Sequence, residues 1–180
     1  MLEYAVKGLV LSRNPIGELD NLYNIYTDKL GLISVRGGST RKITSKLNSH
    51  LDPLNLVFLR IVRKNYFRVV DALISDPTPG AKSEANRDYN LNIIESLLRL
   101  LESEIPDSDL FLLLESGLKA GRIRGTDILS HLGLDPAFSA CPECGKPPIG
   151  YFLAPDAFLC RDCAKKFLHT SVWQKSFIPL

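Results

Sequence analysis

Cys141, Cys144, Cys160 and Cys163 form two Cys-x-x-Cys pairs with 15 residues between them, all within 23 residues of a 180-residue chain. Two thiolates separated by two residues can grip one ion from a single tight turn, and Gly145 supplies the turn freedom after the first pair. Two such turns make a tetrahedral all-sulfur site. With four ligands from the protein no position is left for water, so zinc held there would be structural and not catalytic. Paired redox dithiols are the competing reading. They are disfavoured because neither pair is expected to open a helix after a strand, as a thioredoxin-type site would. The residues between the pairs, with Phe152 and Phe158, read as a small hairpin beside the ion.

The second chemical signal is a concentration of positive charge. The formal net charge is only +2, yet from Met1 to Ile74 there are 11 Lys and Arg against 6 Asp and Glu, and from Ser75 to Ser139 there are 6 against 11. Within the first part, Arg36, Arg41, Lys42, Lys46, Arg60, Arg63, Lys64 and Arg68 face only Asp52 over the same span. A surface of this kind attracts a phosphate backbone through counterion release; the bland alternative is a solvated face that keeps the chain soluble.

Other chemistries lack their residues. A zinc deaminase needs His-x-Glu ahead of a Pro-Cys-x-x-Cys pair, but Ala140 precedes Cys141 and no His-x-Glu occurs. Gly37-Gly38-Ser39-Thr40 lacks the lysine spacing of a phosphate-cradling loop. His50, His131 and His169 stand far apart in no triad or metal spacing, and each reads as a surface or partly buried side chain.

Short strands separated by turn signals must position the cations. Tyr4 to Arg13, Leu19 to Thr27, Leu32 to Arg36, Leu54 to Val62 and Tyr66 to Ile74 are five β runs, and the polar GGSTRKITSK between the third and fourth reads as a loop. Five strands in about 70 residues suit a small closed barrel, because closure removes exposed edges. An OB-fold and an SH3-like barrel both fit that pattern. SDPTPGAKS is a linker by composition, and beyond it the apolar period changes to about 3.6. A helix follows over Glu84 to Leu101 with Ser83 as N-cap, then one after Pro106 and Asp107, whose LFLLL run should be buried on most sides. A third covers Thr126 to Leu132, ended by Gly133. The expected class is α+β: a five-stranded barrel over residues 1–76, for which the OB-fold is the commonest solution, then a small helical domain over 82–180 with an inserted four-cysteine zinc knuckle at 138–166.

This order of parts resembles the RecO family of bacterial recombination mediators. The resemblance is carried by KGLVLSRNPIGELDNLYNIYTDKLGLISVRGG, by TRKITSKLNSHLDPLN, and by LGLDPAFSACPECG and LCRDC. It implies a non-enzymatic protein that binds single- and double-stranded DNA through its OB-fold, anneals complementary strands, and works with RecR in displacing single-stranded-DNA-binding protein and loading RecA. The positions matching that family's basic barrel face are Lys7, Arg13, Arg36, Arg41, Lys42 and Lys46. Arg63, Lys64 and Arg68 join them as candidate nucleic-acid contacts from the charge pattern. Tyr23, Tyr26, Tyr66 or Phe67 could stack on bases, although a strand aromatic in a small barrel is more often core. The chain is short for the family, with 17 residues after Cys163 where relatives carry further helices. The terminal HTSVWQKSFIPL, with Val172, Trp173, Phe177 and Ile178, reads as cover for the core before it reads as a partner site.

Composition agrees with a globular chain, 45% hydrophobic and 23% charged. Apolar stretches stay far below the ~20 residues that span a bilayer. MLEYAVKGLVLSRN lacks a basic run followed by a long apolar core, so the expected location is the cytoplasm, at the nucleoid, with no membrane partner. Three functions are weighed: a DNA-binding mediator, a zinc-containing interaction adaptor with little DNA binding of its own, and, last, a zinc enzyme.

Overall fold

Alternation of apolar and polar residues in the first 76 positions builds five strands, and their inward faces fill one interior. A computed structural model describes residues 1–40, 46–166 and 177–180. β1 (Leu2–Ile16), β2 (Asp20–Thr27), β3 (Gly31–Gly37), β4 (Leu56–Arg63) and β5 (Phe67–Asp76) close into a barrel of order β1-β2-β3-β5-β4. β1 is long enough to serve both neighbours. Leu2 to Leu9 pair with β4, Gly8 to Ile16 pair with β2, and a bulge between Val10 and Ser12 turns the strand. The barrel closes where β3 and β5 run parallel, with Val35 opposite Phe67 and Arg36 opposite Arg68. Val6, Val10, Tyr23, Ile25, Ile33, Val35, Val57, Leu59, Ile61 and Phe67 fill the interior.

Several short elements went unforeseen, among them one helix and one strand. α1 (Lys46–His50) begins at the last residue of the polar GGSTRKITSK loop, in a stretch given no element, and it caps the barrel with Leu47 and the buried Leu51. Buried Asn55 holds it: its side-chain amide donates to the carbonyls of Ser49 and His50, while Lys82 donates to its oxygen. β8 (Phe177–Pro179) pairs with β6 (Gly150–Phe152), which also pairs with β7 (Ala157–Leu159) to complete a three-stranded sheet.

α2 (Glu84–Leu100) and α3 (Ser108–Lys119) pack against the outer wall of the barrel, and α4 (Gly125–His131) packs on α3 and β8. One apolar cluster joins Leu9, Leu11, Tyr26, Leu32, Leu54 and Leu56 from the barrel side to Ile93, Ile94, Leu97, Leu110, Phe111, Leu114 and Leu118 from the helices. Ser83 is the N-cap residue of α2, but its hydroxyl donates to the Gly80 carbonyl and caps no helical amide. The LFLLL run is less enclosed than its composition suggests, because Leu112 is 59% exposed while Leu110, Phe111 and Leu114 are buried. At Gly31, φ is +64° and a Cβ would collide with the Ile105 backbone, so only glycine lets the β2–β3 turn approach the start of α3. Among the described residues no helix is long and apolar enough to cross a membrane.

Asp107 ties three elements together. Its carboxylate accepts from the Leu110 amide at 2.9 Å as the N-cap of α3 and lies 2.7 Å from His131 Nε2 on α4, while its carbonyl accepts from the Tyr26 hydroxyl at 3.3 Å. Burial pushes the Asp107 carboxyl up, but the Leu110 amide and His131 outweigh it and hold the group below its ordinary 3.8. A depressed carboxyl stabilises the fold above its unfolded pKa, and that stability is lost as the pH falls through the folded value. Asp107→Ala should therefore cost ~1–2 kcal/mol at neutral pH. The gap from wild type, read from urea midpoints, should narrow as the pH is taken below 3.8. A gap independent of pH would count against this role.

Candidate metal centre and basic barrel rim

The first cysteine pair sits on a tight turn. The Cys144 and Gly145 amides both donate to the Cys141 carbonyl, and Gly145 takes φ +69°. The second pair lies at the end of the β6–β7 hairpin, where Cys160 is the residue before the short α5 (Arg161–Ala164). That pair does open a helical turn after a strand, contrary to the expectation used against a dithiol reading. The two pairs nonetheless face each other. All four sulfurs lie within 4.8 Å of one another, with Cys144 to Cys160 at 3.5 Å and Cys144 to Cys163 at 3.7 Å. Those two separations exceed a disulfide bond and approach the roughly 3.8 Å edge of a tetrahedron with 2.3 Å metal–sulfur bonds. The set therefore fits a metal ion. Cys141, Cys160 and Cys163 are buried and Cys144 is exposed.

Local fields divide the thiols. The Cys160 backbone amide is the main influence holding Cys141 down, to about 6, and the Cys163 amide likewise holds Cys160 down. Burial is the first of the influences that push Cys163 up to about 12. Neighbouring lysines keep their own acidic partners: Lys146 meets Asp162 at 3.0 Å and Lys166 meets Glu143 at 3.7 Å. Phe152 packs into the same cluster and stacks on Phe177, ring centres 5.0 Å apart. Phe158 lies edge-on to Tyr151 in the cluster formed with Leu129 and Ile178. Phe177 and Ile178 thus cover core, as expected, while Val172, Trp173 and His169 lie outside the described residues.

Of the nine candidate nucleic-acid contacts, the structure brings four together. Arg36, Arg63, Lys64 and Arg68 surround Tyr66 at the turn between β4 and β5, beside the parallel closure of the barrel. Arg36 is matched by Asp20 at 2.6 Å and Arg63 by Glu104 at 2.6 Å. Lys64 and Arg68 are exposed and have no ion-pair partner among the described residues. The remaining candidates lie elsewhere. Lys7 reaches Glu115 at 2.6 Å and Asp76 at 3.1 Å, and Lys119 contacts the same two carboxylates, so Lys7 joins barrel to α3 with its charge already matched. Arg13 meets Asp52 at 2.6 Å and Asn48 of α1 at 3.1 Å. Arg41 and Lys42 lie outside the described residues, as does the side chain of Lys46. Tyr23, Tyr26 and Phe67 are core.

The histidines settle into structural contacts where they are described. His50 Nδ1 lies 2.6 Å from the Ala72 carbonyl and His131 pairs with Asp107.

Comparison with known proteins gives a consistent match. Residues 1–73 match the family model described as Recombination protein O N terminal. The chain is 26% identical over 187 residues to the DNA repair protein RecO of Thermodesulfovibrio yellowstonii, covering 94% of this chain and 74% of that protein. It is 29% identical over 179 residues to the DNA repair protein RecO of Rubrobacter xylanophilus, covering 91% and 72%. It is 28% identical over 160 residues to the DNA repair protein RecO of a Nocardioides species, covering 79% and 64%. The resemblance read from the sequence therefore holds over most of the chain.

Proposed function

We propose, from its kinship with the RecO family, that this chain is a DNA repair and recombination protein that binds DNA through the basic rim of its barrel. The barrel is assigned as an OB-fold: the strand order, the parallel closure of β3 on β5 and the helix between β3 and β4 support that assignment. The observation that carries the reading is Lys64 and Arg68, exposed beside Tyr66 and without an ion-pair partner within 4 Å among the described residues. Arg36 and Arg63 stand next to them, and Arg41, Lys42 and Lys46 follow β3 in the sequence. The family resemblance extends the role to annealing strands and to assisting RecA loading with RecR, in the cytoplasm at the nucleoid. Cys141, Cys144, Cys160 and Cys163 are assigned one zinc ion. Fully coordinated by thiolates it leaves no position for a substrate, so its part is structural and the chain is not assigned an enzymatic activity.

The test is a set of DNA-binding isotherms with single-stranded and duplex oligonucleotides at several salt concentrations. Wild-type affinity should fall linearly on logarithmic axes, and Lys64→Ala with Arg68→Ala should lower the slope by roughly 2. The reading is lost if the protein ignores DNA of both forms at low salt.

A second reading, as an interaction adaptor, has its own support. Phe58 and Leu73 are paired across β4 and β5 and are each 57% exposed on the outer wall, with Val70 and Ile74 also exposed. Capture of RecR by a protein that ignores DNA would favour it.

A further inference from the structure

A single exposed tyrosine needs no explanation, but Tyr66 has unusual surroundings. It is 49% exposed, whereas the other barrel aromatics considered for stacking are buried. It lines two cavities. One, of about 280 Å³, is walled by Met1, Val62, Asn65, Lys64 and Arg68. The other, of about 230 Å³, includes Ser34, Arg63, Ser103 and Glu104. Arg36 places its guanidinium 6.0 Å from the ring centre. The first cavity thus combines an aromatic ring, an apolar wall and two cations with no carboxylate among its lining residues. The second carries Glu104, which would repel a phosphate.

We propose that Tyr66 forms a nucleotide subsite selective for single strands. An unpaired base stacks on the ring in the cavity with Val62 and Met1, while Lys64 and Arg68 hold the phosphates flanking it. The inference rests on the nucleic-acid reading of the barrel and deepens it by naming the strand state recognised. A base inside a duplex has both faces covered by its neighbours and cannot offer one to the ring. A backbone running past Lys64 and Arg68 is available in either form. Stacking therefore separates the two forms of DNA, and the cations do not.

The test compares a fluorescently labelled oligothymidylate with a duplex of the same length, using wild type, Tyr66→Ala, Tyr66→Phe and Arg68→Ala. Circular dichroism checks that each variant is folded. Tyr66→Ala should weaken single-strand binding roughly 5- to 150-fold, the range that loss of one stacked base gives. Duplex affinity should stay within about twofold and the single-strand salt slope should not change, because no phosphate contact is removed. Tyr66→Phe, which keeps the ring, should restore most single-strand affinity. Arg68→Ala should weaken both forms and lower the slope. Equal losses on both forms in Tyr66→Ala, or no loss on either, overturn the subsite while leaving the basic rim intact as a DNA site. Failure of wild type to bind either form overturns the underlying reading as well.

Discussion

Cys160→Ser should abolish metal binding by the four-cysteine set and unfold the segment from Phe138 to Lys166 while the barrel stays folded. The reason is the poverty of that segment in any other source of order. Its strands are three residues each, and even with β8 they make a sheet of only three such strands, too small to be stable in water without further support. Half of its buried apolar cluster is cysteine itself, the rest being Phe152, Leu159 and Ala164. Structural zinc in small sites is worth ~10 kcal/mol or more, which exceeds what these few side chains could supply. Without a cation the four sulfurs also repel one another once ionised. Wild type should carry one zinc per chain by elemental analysis, and the variant close to none. Limited proteolysis should cut the variant between Cys141 and Lys166 while sparing the barrel strands. The assignment fails if the variant keeps its metal, or loses it without any change in melting or protease resistance.

That centre was legible in the sequence because both halves of each grip are local: two residues between thiols, a glycine after the first pair. The five strands were legible for a related reason, since period-two alternation and turn residues act over a few positions. What escaped was decided at long range. β8 exists because Phe177 to Pro179 pair with β6 and because the Phe177 carbonyl accepts from Asn92 and Ser96 of α2. α1 has a polar sequence and owes its helix to Asn55 and the barrel floor beneath it. The cations show the same division. Their concentration in the first part of the chain is visible by counting, but Lys7 finds its carboxylate on Glu115, 108 residues away, and Arg63 finds Glu104. Charge was readable and charge pairing was not. Among the described candidates, Lys64 and Arg68 therefore emerge as the cations without an ion-pair partner only once the fold has assigned partners to Lys7, Arg13, Arg36 and Arg63.

Leu114→Ala should destabilise barrel and helices together, by ~2–5 kcal/mol and in a single unfolding transition. Leu114 lies on α3, fully buried, in the cluster that also contains Leu9, Leu11, Tyr26, Leu32, Leu54 and Leu56 of the barrel part. These six side chains are the outer wall and lower edge of the barrel, and the helices are their cover. Tyr26 makes the dependence concrete: it stacks on Phe111, ring centres 6.5 Å apart, and donates to the Asp107 carbonyl. Across the same boundary run the Lys7 contacts to Asp76 and Glu115. The domains proposed from the sequence, residues 1–76 and 82–180, thus share a core, and a cavity opened on the α3 side is felt by the strands. Against a typical total of ~5–15 kcal/mol the expected loss is large. Urea unfolding by circular dichroism, with amide exchange at Ile25 and Ile33 as reporters inside the barrel, measures it. Exchange at those amides should quicken in step with exchange in α2. Helical signal lost at lower urea while Ile25 and Ile33 keep wild-type protection would mean instead that the barrel is stable without its helices. By the same argument a fragment ending at Asp76 should aggregate, because it presents Leu9, Leu11, Tyr26, Leu32, Leu54 and Leu56 to water as one apolar patch.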